Sequence, residues 1–107
     1  MRRWLSIFGA LLLTQAAHAA PRQDVCDAQA RFVMLAADLR DAQQTPQQVY
    51  QQTAKYVVPG MGMSDAWRKR AINTVFFDND LSQVPPEQDA ISYRAWCMGA
   101  RPMQPLR

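Results

Sequence analysis

Between residues 24 and 42 the apolar positions return at helical three- and four-residue spacing. Val25, Ala28, Phe32, Leu35, Leu39 and Ala42 line one stripe, and the smaller Cys26, Ala30, Val33 and Ala37 line a second beside it. What remains for solvent is a narrow strip of Asp27, Arg31, Asp38 and Asp41. A helix apolar over most of its girth needs cover on more than one side, so the pattern predicts a central helix. Asp24 is its expected N-cap, and Asp27 is placed to pair with Arg31 one turn on. The helix is expected to run out near residues 42–44.

Thr45-Pro46-Gln47-Gln48 then spells a helix start: Thr45 caps, Pro46 takes the first helical position and Gln48 completes a capping box. Val49, Tyr50, Thr53, Tyr56 and Val57 share one face of this second helix. Gln47, Gln48, Gln51, Gln52 and Lys55 share the solvated one, and Pro59-Gly60 ends it. Two glycines give Pro59-Gly60-Met61-Gly62-Met63 access to left-handed or tight backbone. Ser64 caps a third helix over Asp65–Phe77, with Trp67, Ala71, Ile72, Val75 and Phe76 toward one side and Phe77 pointing away. Asp78-Asn79-Asp80 breaks the pattern, and Pro85 pushes Val84 extended. A fourth helix starts at Pro86 with Glu87 and Asp89 at its positive end. Its inner side is expected to carry Ala90, Ile91, Arg94, Cys97 and Met98, flanked by Tyr93 and Trp96, with Gly99 just past its end. No stretch alternates as a strand does. The predicted fold is all-α: four short helices in one small domain spanning residues 20–99, followed by a loose tail at 100–107.

The first residues change the picture of where this domain works. Arg2-Arg3, an apolar run from Trp4 to Leu13 and an Ala17-His18-Ala19 exit have the form of a secretory signal peptide over residues 1–19, cleaved after Ala19. The apolar run is short of the ~20 residues that span hydrocarbon, so no stable membrane insertion is expected once the leader is removed. A periplasmic or secreted location follows. The formal charge of +3 owes two units to Arg2 and Arg3, leaving the mature chain near +1. Nothing in that balance asks for a polyanion, and no nucleic-acid partner is expected. In an oxidising compartment the two cysteines, Cys26 and Cys97, most simply form one disulfide joining the first mature helix to the last. Closing a loop of roughly 70 residues is worth about 4 kcal/mol in the chain-entropy description.

Candidate chemistry is sparse. The single histidine, His18, lies in the leader, so the mature chain has no imidazole for a triad or a metal site. Ser64 has a sufficient role as a cap, and Asp78-Asn79-Asp80 lacks the later glycine and glutamate of a calcium loop. No catalytic residue and no cofactor are expected, and the chain does not read as an enzyme. Met61-Gly62-Met63 offers two soft thioethers of the kind that suit Cu(I); otherwise they are flexible fillers folding a glycine loop onto the core. Trp67-Arg68-Lys69-Arg70 joins an aromatic to a basic run and is the candidate interaction patch.

The layout resembles small exported proteins of proteobacteria. The resemblance rests on Cys26-Asp27-Ala28-Gln29-Ala30, Leu35-Ala36-Ala37-Asp38-Leu39-Arg40-Asp41, the Thr-Pro-Gln-Gln start, Val75-Phe76-Phe77-Asp78, Pro85-Pro86-Glu87-Gln88-Asp89-Ala90 and Tyr93-Arg94-Ala95-Trp96-Cys97. It implies an exported helical protein and carries over no functional residue. A fainter likeness is to the periplasmic acid-stress chaperones, which are small, helical and bridged by one disulfide. The expected role is a protein-binding or structural module with another protein as partner. The alternatives are an acid-stress chaperone and a copper-binding protein acting through Met61 and Met63.

Overall fold

In a computed structural model, residues 21–99 are described; the expected leader at 1–19 and tail at 100–107 lie outside them. Four α-helices follow in order: α1 (Arg22–Asp41), α2 (Pro46–Gln52), α3 (Asp65–Phe77) and α4 (Pro86–Cys97). Short 3-10 turns at Ala54–Tyr56 and Leu81–Gln83 complete the chain, and the described residues contain no strand. The fold is therefore all-α, as the periodicity predicts.

Helix α1 is the centre: its largest interface is with α4 and its next with α3, while α2 packs chiefly on α3. Pro21, not Asp24, occupies its N-cap position, and no side chain caps it; Asp24 falls in the first turn, where a carboxylate favours the positive end of the helix. The buried face comprises Cys26, Ala28, Gln29, Ala30, Phe32, Val33, Ala36 and Ala37. The stripe of small residues thus goes fully inside, whereas Val25 and Leu35 are half-buried and Ala42 is exposed. Small side chains let two other helices approach the α1 backbone closely, which a stripe of leucines would prevent. The helix closes through Gln43, at φ 71°, with Gln43 N–H donating to the Arg40 carbonyl and Gln44 N–H to that of Leu39. This is a Schellman arrangement made without glycine.

The capping box of α2 forms as expected: Thr45 Oγ1 accepts from Gln48 N–H at 3.1 Å, and Gln48 Oε1 accepts from Thr45 N–H at 2.8 Å. The helix stops at Gln52, short of the expected Pro59-Gly60. At that end Thr53 is wholly buried, and its hydroxyl donates to the Val49 carbonyl at 2.7 Å alongside its own backbone N–H before the chain passes into the 3-10 turn. Ser64 caps α3 by accepting from Trp67 N–H, and Phe77 points outward with 67 % of its surface exposed. Asp78 Oδ1 then accepts from the N–H groups of Asp80 and Leu81, so the acidic triplet is a helix-ending turn.

Helix α4 begins at Pro86 and ends before Gly99 at φ +75°, both as expected, but it is rotated from the predicted face. Asp89, Ser92 and Tyr93 are buried; Ile91 is 60 % exposed, and Arg94 is exposed and paired with Asp27. That pairing replaces the expected Asp27–Arg31 contact within α1. The apolar core joins Phe32, Val33 and Ala36 of α1 to Val49, Met63, Trp67, Ile72, Val75 and Tyr93.

Candidate binding pocket beside the disulfide

Cys26 lies in the second turn of α1 and Cys97 is the last residue of α4, and the two sulfurs are bonded with Cα atoms 5.7 Å apart. The bridge fastens the start of α1 to the end of α4. Beside it opens a cavity of about 680 Å³ whose walls are Val25, Cys26, Gln29, Trp67, Tyr93, Trp96 and Cys97. Its volume falls within the range of small-ligand sites, roughly 300–1,000 Å³. The buried members, Cys26, Gln29, Trp67 and Tyr93, form the floor; Arg22, Arg70 and Gly99 are exposed and form the rim.

A chain of hydrogen bonds sets the floor. Trp67 Nε1–H donates to the Tyr93 hydroxyl at 3.3 Å, that hydroxyl donates to Gln29 Oε1, and Gln29 Nε2–H donates to the Met61 carbonyl at 2.8 Å. Three helices and the glycine loop are thereby tied at one point. The rings support the same arrangement: Phe32 and Tyr93 each meet Trp67 edge-on, with centroids 5.3 and 6.1 Å apart, and Trp96 leans on Tyr93. Burial pushes the Tyr93 phenol above its usual pKa, opposed by the Trp67 N–H and by the charge of Arg70. The phenol therefore stays neutral and remains a donor. Among the described residues Arg22 and Arg70 enter no ion pair, and no carboxylate lines the cavity.

The expected interaction patch does not hold together as one surface. Trp67 is buried in the pocket floor and Arg68 is only 4 % exposed, so Lys69 and Arg70 alone remain outside. Arg68 runs inward against α2. It donates to the Tyr50 carbonyl at 2.8 Å, reaches Thr53 Oγ1 and Asp65, and lies 4.1 Å over the Tyr50 ring. This inward course gives an internal partner to a cation that the first turn of a helix disfavours. Four consecutive helical residues point in four directions, which is why a run in sequence is not a patch in space. The methionine pair is likewise divided. Met63 belongs to the core and Met61 is half-buried, and the Met61 atom engaged by the floor is its carbonyl oxygen.

A second buried polar cluster lies at the opposite end of α1. Arg40 Nη1 donates to Asp89 Oδ2 at 3.0 Å and to the carbonyls of Val75 and Leu81, Nη2 to that of Val84, and Nε to Asp41. Burial disfavours the Arg40 charge, but its bonds to Asp41 and Asp89 outweigh that and hold its pKa above the ordinary value. Asp89 is wholly buried, and its Oδ1 has no partner. Desolvation dominates over the pull of Arg40 and pushes its carboxyl up to about 6.

Sequence reasoning paired Cys26 with Cys97 and named Trp67 and Arg70 only within a four-residue patch; it missed Gln29, Arg22 and the Arg40–Asp89 pair. A signal for Gln29 was present: it sits three residues after Cys26, on the inward side of an otherwise apolar helix. The chain matches no protein-family model, no curated protein and no solved structure.

Proposed function

We propose that this protein is an exported binding module, pinned by the Cys26–Cys97 bridge, that recognises another protein at the pocket beside that bridge. The observation that carries the reading is the pocket itself: an aromatic floor locked by hydrogen bonds, under a rim bearing two guanidiniums that have no ion-pair partner among the described residues. A floor held this firmly needs little reordering when a ligand arrives, which lowers the entropic cost of binding. Aromatic rings and arginine are also the side chains that most often dominate protein recognition. Export is supported by the leader pattern at residues 1–19 and by the bridge, which persists in oxidising compartments.

Two measurements test this. Intact mass of the protein recovered from its native host should correspond to a chain beginning at Ala20 and lacking the two thiol hydrogens. An intact leader with free thiols would overturn the export reading. A photo-crosslinking residue at Trp96 should capture a discrete partner in that compartment, while the same residue at Gln51 on α2 should not. Equal labelling from both positions would remove the pocket as the point of contact.

A further inference from the structure

We infer that the pocket receives the C-terminal residue of a partner polypeptide, its large apolar side chain seated on the floor and its carboxylate held by Arg22 and Arg70. This rests on the binding reading above and narrows it to one ligand chemistry. Three features of the cavity lead to it.

The floor calls for an apolar group. Trp67, Tyr93 and Gln29 each already donate a hydrogen bond inside the protein, to Tyr93, Gln29 and Met61 respectively. A polar group pressed onto that floor would lose water and find the single donors of Trp67 and Tyr93 taken, with one N–H of the Gln29 amide already spent on Met61, at the usual desolvation cost. An aromatic or branched aliphatic side chain loses nothing comparable and gains ring contacts with Trp67, Tyr93 and Trp96.

The rim calls for an anion. Arg22 at the start of α1 and Arg70 on α3 stand on different helices at the mouth, and no carboxylate among the described lining residues neutralises them. A planar carboxylate is the group that a guanidinium fork grips best. The ligand chemistry called for is thus two-part, apolar toward the floor and anionic toward the rim. The last residue of a polypeptide carries a side chain and a carboxylate on the same carbon and offers both parts together.

Among the described residues the cavity is also open to solvent. A free small molecule gains from full enclosure, whereas a chain end needs a way out for the residues that precede it. The opening supplies that exit.

The test uses the mature, oxidised chain and four probes: acetyl-Gly-Gly-Phe as the free acid, the same peptide as its C-terminal amide, acetyl-Gly-Gly-Ala as the free acid, and 4-phenylbutyrate. Among the described residues Trp67 and Trp96 are the two tryptophans and both line the cavity, so their fluorescence and indole N–H resonances report occupancy directly. The Phe acid should bind at least about tenfold more tightly than its amide, the size expected of a charge-assisted contact, and should also exceed the Ala acid. Arg70→Gln and Arg22→Gln, both at exposed positions, should each shrink the acid-to-amide ratio while leaving the melting temperature unchanged. Equal binding of acid and amide would overturn the anion assignment. Binding of 4-phenylbutyrate as tight as that of the Phe acid would overturn the chain-end assignment in favour of a small carboxylate. A dimeric mass in solution, with the indole signals already shifted, would overturn it in favour of a second copy. A partner crosslinked at Trp96 but indifferent to the free acid would sink this inference and leave the binding reading standing.

Discussion

Both ends of the Gln29 amide are engaged inside the protein, and the position facing it across the loop, Gly62, leaves little room for a side chain. Gly62 sits at φ +68°, and a Cβ there would come within 3.0 Å of Gln29 Nε2. Gly62→Ala therefore adds left-handed strain to a steric push on the pocket floor. The expected loss is about 1–3 kcal/mol, read from urea unfolding, with a changed Trp67 environment in near-ultraviolet circular dichroism. Gly60 is also at positive φ but has open space around the added carbon, so Gly60→Ala should show the strain without the change at Trp67. At this scale the glycine of the Met-Gly-Met motif has a structural reason that concerns the backbone and Gln29 and owes nothing to sulfur.

Among the elements, α1 and α4 are joined by a buried ion pair in addition to apolar packing and the disulfide. Arg40→Met removes the cation from Asp89 and the donor from three carbonyls at once. An expected cost of about 3–5 kcal/mol follows from leaving a buried charge uncompensated. Asp89→Asn should cost less, because the guanidinium keeps its carbonyl acceptors and Asp41. The two variants also separate by pH. The folded Asp89 carboxyl, at about 6, lies above its unfolded value of 3.8, so the folded chain binds a proton that the unfolded chain has released between those limits. Stability from this group is fully present below about pH 4 and is lost as pH rises through about 6. Urea midpoints measured across that window should fall with rising pH for the wild type and lose this component in Asp89→Asn. A wild-type midpoint that rises through the same window would show that the carboxyl is not held up by burial. The rotation of α4 belongs here as well. Periodicity alone weighs Ile91 above Asp89 for the interior, and only the partner presented by α1 reverses that order. Caps, proline starts and the glycine stop were legible because each depends on neighbours along the chain: Thr45 with Gln48, Ser64 with Trp67, Pro86, Gly99. Arg40 with Asp89, and Gln29 with Tyr93, depend on helices far apart in sequence, and no local pattern encodes them.

For the whole molecule the bridge is the largest single constraint. Cys26 and Cys97 lie 71 residues apart, and removing the bond as Cys26→Ser/Cys97→Ser should cost about 4 kcal/mol. In a domain of this size that lowers the melting temperature by roughly 15–30 °C, measurable by calorimetry. Because α1 and α4 also share the most extensive interface, the reduced chain should keep its helical circular dichroism at low temperature while its pocket loosens first. The pairing was legible from the presence of two cysteines after the expected leader. The cavity beside it was not, since its wall is assembled from three helices whose rotations the sequence leaves open.

The Arg40 side chain has one more consequence. It reaches from the middle helix into the connector between α3 and α4, accepting no help from that connector's own side chains and binding the carbonyls of Leu81 and Val84 directly. A surface loop usually breathes alone. This one is latched by a residue more than forty positions upstream, so the stretch from Leu81 to Val84 can lift from the core only when the Arg40 guanidinium releases its carbonyls.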